Sequence, residues 1–273
     1  MQRWAFIDHS FVKDEEARIH VRDLAIQRAY GVFDFFRLKD LDPLFLNDHL
    51  DRFYASADFM RLKISFSKKE LSSIINECIQ KNQIPSTGYR LTLTGGISEL
   101  TMQPEHPLLV ITQHNFQPPT KEQLENGINL FSYEHRRQFP SIKTIDYLLP
   151  VWLQPEIQKK GAFDVLYHDE GSISECPRSN FFIIDERDRT ITPSAGILKG
   201  ITRNKLIAML VNEFGIEERT LTLEETKKAK VAFITSTTKI ILPVRQLDDQ
   251  VFPEEGIKSV QSLRQQFQNY YHC

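Results

Sequence analysis

DVLYHDEGSISECPRSNFFIIDERDRTIT, residues 164–192, sets the reading of the chain. Its short apolar runs DVLYH, NFFIID and TIT are separated by a turn around Gly171 and by the charged turn ERDR, which is the pattern of strands joined by tight turns. Antiparallel sheet is therefore predicted for the second half. Downstream, a helix is predicted to begin near Thr202, to carry Leu206, Ile207, Leu210, Val211 and Phe214 inward, and to stop at Gly215, a good C-cap residue. A short helix-like EETKKAK then leads into the strand KVAFITS, residues 230–236. Upstream, INLFSY at 128–133 is also strand-like.

Further toward the N-terminus, NFQPPTKEQ (115–123) loses apolar periodicity around Pro118 and Pro119 and reads as an interdomain linker. It divides the chain into a small α/β domain, 1–118, and a larger domain, 119–273. PLLVITQ (107–113) is strand-like. From Tyr89 to Thr94 the pattern alternates strictly, with Tyr89, Leu91 and Leu93 on one face and Arg90, Thr92 and Thr94 on the other, ending at Gly95 and Gly96. Ser67 and Glu70 form a capping-box pattern ahead of the stripe Leu71, Ile74, Ile75, Cys78 and Ile79. Asn47 to Leu62 places Leu50, Phe53, Ala57 and Met60 at helical spacing, with Asn47 or Asp48 available as the cap.

The chain's 273 residues amount to about two domains. Apolar residues at 41% and charged residues at 26% match folded globular proteins, which excludes disordered and collagen-like classes. A formal charge of -2 with no long basic run leaves no phosphate-backbone footprint, so no nucleic-acid partner is expected. Cys78, Cys176 and Cys273 are too few and too scattered for a disulfide framework or a zinc site, which fits a reducing cytoplasm. The first ten residues lack a signal-peptide apolar stretch, and no run approaches the roughly 18 apolar residues of a membrane span, so neither export nor a membrane partner is expected.

Several positions could carry chemistry. Gly200 in ILKGITRNK precedes a helix start, where the amides of Ile201 and Thr202 and the Thr202 hydroxyl either hold an anion such as phosphate or form an ordinary cap. Ser236, Thr237 and Thr238 place three hydroxyls where a strand leaves the sheet. Lys143 in SIKTI either loses basicity among its isoleucines and becomes nucleophilic, or snorkels to water. Glu175 is either a buried carboxylate facing a cation or, by default for its type, solvated. Arg52 either pairs with Asp48 on its own helix or binds an anion. Arg90 stands in mid-strand and reaches water or a carboxylate in a cleft; Arg136 and Arg137 form a solvated pair or steer anions. HExxH, GxSxG and GxGxxG are absent, and the eight histidines are scattered, so no metal constellation is expected.

In this order the segments resemble the class IV aminotransferase family, the pyridoxal-phosphate enzymes of fold type IV that include branched-chain and D-amino-acid aminotransferases and aminodeoxychorismate lyase. RAYGVFDFFR (28–37) resembles its FGDGVFETLR-like segment, NDHLDRFYASADFMRL (47–62) its EHLxRLxxSA helix, and SIKTIDYL the segment of its Schiff-base lysine. SISECPRSNFFII resembles its ExxxSNxF stretch, ILKGITR its phosphate-binding turn, and ITSTTKIILPV its closing STT segment. Six motifs in register span most of the chain.

The resemblance implies an α+β, two-domain fold type IV enzyme with an N-terminal α/β sandwich domain and a C-terminal β-barrel-like α/β domain. It implies pyridoxal 5'-phosphate as cofactor, Lys143 as Schiff-base lysine and proton-moving base, and Glu175 at the pyridine nitrogen. Arg52, the turn at Gly200 with the amides of Ile201 and Thr202, and Thr237 would hold the phosphate, and Leu198 would pack on the ring. Phe33, Arg90, Arg136 and Thr238 would face the substrate. The implied activity is aminotransfer between an amino acid and a 2-oxo acid, in a homodimer; the alternatives are elimination of pyruvate by a 4-amino-4-deoxychorismate lyase, or a non-catalytic phosphate-ligand-binding protein.

The chain departs from the family at Ala29-Tyr30, where Gly-Asp or Thr-Ser is usual, and at Asp34, which replaces a glutamate. GGISELTMQPEHP (95–107) lacks the Arg-x-His element of D-amino-acid aminotransferases, so a D-specific enzyme is not expected. Tyr89 adjoins Arg90 and points to the opposite face, unlike the tyrosine of branched-chain enzymes. Pro150 and Pro155 predict a kinked or broken helix after Lys143.

Overall fold

The computed structural model describes residues 3–99, 102–211 and 215–273. Within them the chain forms two compact units, one of Met1–Phe116 with Ile142–Asp146, the other of Gln117–Ser141 with Tyr147–Cys273. The division differs in one consequential way from a cut at residue 119: the short segment bearing Lys143 belongs with the first unit.

The first unit contains β1 (Trp4–Ile7), β2 (Ser10–Lys13), α1 (Leu24–Arg28), β3 (Gly31–Lys39), β4 (Asp42–Pro43), α2 (Leu46–Phe59), α3 (Lys68–Asn82), β5 (Gly88–Thr94) and β6 (Leu109–His114). Its strands form one antiparallel sheet in the order β2-β1-β6-β5-β3-β4. The alternation along β5 sends Tyr89, Leu91 and Leu93 into the core, where they meet Leu50, Phe53 and Ala57 of α2 and Leu71, Ile75 and Cys78 of α3. Each such large side chain removed from water contributes about 1.5–3 kcal/mol. Ser67 and Glu70 make the predicted capping box, typically worth ~1 kcal/mol. α2 differs from expectation at both ends: it starts at Leu46 and closes on Met60, and its N-cap is Phe45, at φ +56 and without a side-chain cap, rather than Asn47 or Asp48.

The second unit contains α4 (Lys121–Asn126), β7 (Ile128–Glu134), α5 (Leu148–Trp152), α6 (Gln154–Lys159), β8 (Asp164–Asp169), β9 (Ser172–Ile173), β10 (Glu175–Cys176), β11 (Ser179–Ile184), β12 (Thr190–Pro193), α7 (Ile201–Leu210), β13 (Ile216–Arg219), α8 (Leu223–Lys227), β14 (Val231–Ser236), β15 (Ile240–Leu247), β16 (Gln250–Val251) and α9 (Glu254–Tyr271). The sheet order is β13-β12-β11-β14-β15-β7-β8-β9, with β10 on β11 and β16 on β15. The strands of 164–192 appear as predicted, but the sheet is mixed rather than antiparallel. β12–β13, β15–β7 and β7–β8 are parallel pairs, because each connection between their members runs through helices or further strands. Phe182 stacks on Phe233 at 4.9 Å in the core.

α7 ends at Leu210, short of the predicted stop. Leu206 and Leu210 face the core, whereas Val211 is exposed, because the helix has already closed on it as C-cap. Gly215 adopts φ +68 ahead of β13, and Phe214 lies outside the described residues. Pro150 and Pro155 divide the expected helix into α5 and α6. Among the described residues no helix is long and apolar enough to cross a membrane.

Candidate active site

In the first unit the site is built on β3. Asp34 lies in the apolar run of that strand and is fully buried. An acid there requires partners, and two come from α2, three residues apart on one face. Arg52 donates from Nε to Asp34 Oδ2 and from Nη2 to Oδ1, both at 2.8 Å. His49 Nδ1 sits 2.7 Å from Oδ1. Burial would raise the Asp34 carboxyl, but the Arg52 guanidinium and the His49 ring overcome it and hold it well below the usual carboxylate range. Burial lowers His49, so the neutral ring donates Nδ1–H to Asp34. Arg52 thus turns to Asp34 rather than to Asp48. Its Nη1 takes part in none of these bonds and remains a directed donor.

Lys143 is fixed by its backbone. Its carbonyl accepts from Phe33 N–H at 2.9 Å, Thr144 bridges to Val32, and Ile145 N–H donates to Gly31 O at 3.1 Å. A Cβ at Gly31 would stand 3.0 Å from Ile145 Cδ1, so the glycine admits this close approach. Ser56 Oγ of α2 accepts from Lys143 N–H at 3.5 Å. The Lys143 ammonium lies 4.6 Å from the centroid of the Phe33 ring, and the Arg90 guanidinium 3.8 Å from the same centroid. Arg90 Nε also donates to Thr92 Oγ1 at 3.2 Å. Phe33, Arg90 and Lys143 therefore form one constellation in this unit. Tyr89 points the other way, with its hydroxyl among Asn82 and Cys78.

In the second unit Glu175 is 4% exposed, which selects the buried carboxylate over the solvated loop charge. Its Oε1 accepts from Arg137 Nη1 at 2.7 Å. Its Oε2 accepts from Asn180 Nδ2 and from Leu198 N–H, both at 3.0 Å. The expected Arg136–Arg137 pair is thereby split. Arg137 turns inward to Glu175, while Arg136 is largely exposed beside Asp169 at 3.5 Å. Asn180 Nδ2 also donates to Leu198 O at 2.7 Å, tying β11 to the turn that precedes α7.

That turn ends in Gly200, the N-cap of α7, which supplies no side-chain cap. The leading amides at Ile201 and Thr202 lie at the positive end of a ten-residue helix. A Cβ at Gly200 would come within 2.1 Å of Asn180 Oδ1, so only glycine leaves room for this amide. Ser179 Oγ and Thr235 Oγ1 are buried without a hydrogen-bond partner. Thr237 and Thr238 are half-buried in the turn from β14 to β15. Taken by itself, this unit offers an uncapped helix end and hydroxyls that suit a phosphate and a buried carboxylate that suits a protonated ring nitrogen; the first unit, taken by itself, offers a guanidinium that suits a phosphate and an amine that suits an aldehyde, and these are the groups that pyridoxal phosphate carries. A separate cavity of about 480 Å³ in the first unit, lined by residues including His9, His20 and His106, shares none of these groups.

Sequence reasoning noted Asp34 only as a departure from the family, read Arg137 only as one of a solvated or anion-steering pair, and assigned no role to His49 or Asn180. An acid inside the apolar run VFDFF was the available signal for the first of these.

A family model described as amino-transferase class IV matches residues 31–247. The D-alanine aminotransferase of Bacillus licheniformis is 30% identical over 260 residues, 92% of each chain. The solved branched-chain aminotransferase of Thermoproteus uzoniensis with norvaline superposes with a TM-score of 0.90 at 22% identity, covering 99% of this chain and 95% of that one. A Legionella pneumophila protein provisionally named 4-amino-4-deoxychorismate lyase gives 0.83 at 24%, covering 93% and 97%.

Proposed function

The chain belongs to the class IV aminotransferase family, whose cofactor is pyridoxal 5'-phosphate and whose fold is type IV, and from that premise we propose that it moves an amino group between an amino acid and a 2-oxo acid through Lys143. The observation that carries the reading is the fixing of Lys143 on β3, with its ammonium over Phe33 beside Arg90. A reactive amine needs a set position more than it needs added basicity.

When bound, the cofactor supplies an electron sink for charge developing at the amino acid's α-carbon. Lys143 Nζ would hold the cofactor and would serve as the base that takes and returns the amino acid's α-proton. Glu175 would keep a proton on the ring nitrogen, and Arg137 and Asn180 hold Glu175 in place for it. Arg52 Nη1, the amides of Ile201 and Thr202, and Thr237 are the groups that would bind the phosphate, and Gly200 keeps its turn open. Leu198 would pack on the ring, and Phe33, Arg90 and Thr238 would face the substrate. Arg136, exposed beside Asp169, acts at most by drawing anions toward the site.

A cytoplasmic homodimer is part of the proposal. Leu148, Val151 and Trp152 of α5 are exposed and supply apolar surface that a second copy would cover.

The test is the absorbance spectrum of the purified protein before and after single L- and D-amino acids. Lasting bleaching of the yellow band supports aminotransfer and names the donor's class and hand. A band that depends on Lys143 but that no amino acid bleaches points instead to the lyase.

A further inference from the structure

Lys239 follows Thr237 and Thr238 in the turn from β14 to β15, and its side chain runs inward, 8% exposed, with Nζ 5.5 Å from the centroid of the Phe163 ring. An ammonium is seldom buried without compensating charge. Facing it are Asp164 at the start of β8, and Cys176 and Arg178 in and just after β10. Asp164 is 3% exposed; its Oδ1 accepts from Val165 N–H at 3.0 Å, and its Oδ2 has no hydrogen-bond partner. Burial pushes the Asp164 carboxyl up from its ordinary value, and Lys239 and Arg178 act against that. Burial brings Lys239 down to about 8, Arg178 acts in the same direction, and Asp164 and Cys176 oppose them.

The turn these charges flank is strained. Ile240, a β-branched residue, adopts φ +61, in the left-handed region that such residues avoid. Lys239 N–H donates to Ser236 Oγ at 3.2 Å, and Arg264 of α9 donates to the carbonyls of Lys239 and Ile241. A backbone of this kind persists only where its surroundings over-determine it. Arg264 grips the turn by its carbonyls, and Lys239 grips it by a charge held inside.

We propose that Lys239 is a positioning residue: drawn inward toward Asp164, it fixes the Thr237–Thr238 turn in the conformation that receives an anionic group, either the cofactor's phosphate or the substrate's carboxylate. This rests on the assignment of Thr237 and Thr238 as ligand contacts. The experiment compares Lys239→Met, Lys239→Arg and Asp164→Asn with Thr237→Val and Thr238→Val. Two quantities are read for each protein: the dissociation constant of the apoprotein for pyridoxal phosphate and for inorganic phosphate, and the KM and kcat for the best amino donor.

Lys239→Met is expected to weaken one of the two affinities about tenfold or more while kcat changes by less than about threefold, with Lys239→Arg retaining most of the affinity. A rise in both phosphate constants identifies the phosphate as the group received; a rise in KM alone identifies the carboxylate. Lys239→Met that melts earlier but keeps every constant within about twofold overturns the proposal, because a purely structural lysine behaves that way. If Lys239→Met does not fold, Asp164→Asn carries the same expectation and the same refutation. Threonine variants that bind normally overturn the ligand assignment and this proposal with it. Threonine variants that weaken binding beside an unaffected Lys239→Met overturn the proposal alone.

Discussion

Arg137 Nη1 stands 2.7 Å from Glu175 Oε1, and the two side chains are 19% and 5% exposed. The pair fills one oxygen of a buried carboxylate whose other oxygen is taken by Asn180 and the Leu198 amide. Arg137→Met takes the guanidinium away from that buried charge and is predicted to cost about 2–4 kcal/mol in urea unfolding. Arg136→Met removes an exposed contact to Asp169 and is predicted to cost less than about 0.5 kcal/mol. Equal effects at the two neighbours would contradict the inward assignment of Arg137.

Asp34 aims Arg52 by taking Nε and Nη2 and leaving Nη1. Asp34→Asn and Arg52→Lys both break this fork, since an ammonium cannot reproduce a planar two-point grip. Each is predicted to weaken pyridoxal phosphate binding about 10- to 100-fold, a loss of ~1.4–2.8 kcal/mol. Equilibrium dialysis of the apoprotein checks this. Unchanged binding in Arg52→Lys would mean that the guanidinium does not meet the phosphate.

The same cluster sets a pH dependence. His49 is lowered by burial from its ordinary 6.5, so as pH falls below 6.5 the unfolded chain takes a proton that the folded one refuses, and stability declines. Asp34 is held below its ordinary 3.8; its contribution is whole above that value and is lost as pH falls beneath it. Urea midpoints measured against pH should flatten as pH falls below about 6.5 in His49→Asn relative to wild type, and below about 4 in Asp34→Asn. Parallel curves for wild type and both variants would remove the cluster from the account.

Gly200→Ala tests the turn before α7. The backbone there, at φ -66, suits alanine, but the new methyl would meet Asn180 Oδ1 at 2.1 Å. Asn180 must then give up contacts to Glu175 or Leu198, at about 1–3 kcal/mol. Thermal melts and cofactor affinity should fall together; a variant as stable as wild type would show that the amide has room to move.

How much of this was legible in the sequence depended on whether a signal is local. The capping box of α3, the alternation of β5 and the proline break between α5 and α6 are carried by neighbouring residues, and they appear where periodicity put them. The parallel pairings of β7 with β8 and β15 depend on which distant strands meet, and no local pattern encodes that. The segment with Lys143 follows the expected linker in sequence but is hydrogen-bonded to β3, about a hundred residues earlier in the chain. At the site, Lys143, Glu175, Arg52 and Gly200 stood out through their motifs. That Asp34, His49, Arg137 and Asn180 are their partners was not legible there, because a partner is recognised by proximity.

The central claim is that Lys143 holds the cofactor, and borohydride reduction followed by peptide mapping tests it most directly. The account predicts a pyridoxyl group on the peptide containing Lys143 and its disappearance in Lys143→Ala. A label on another lysine, Lys239 with its lowered basicity being the natural competitor, or no label with the cofactor present, would contradict it.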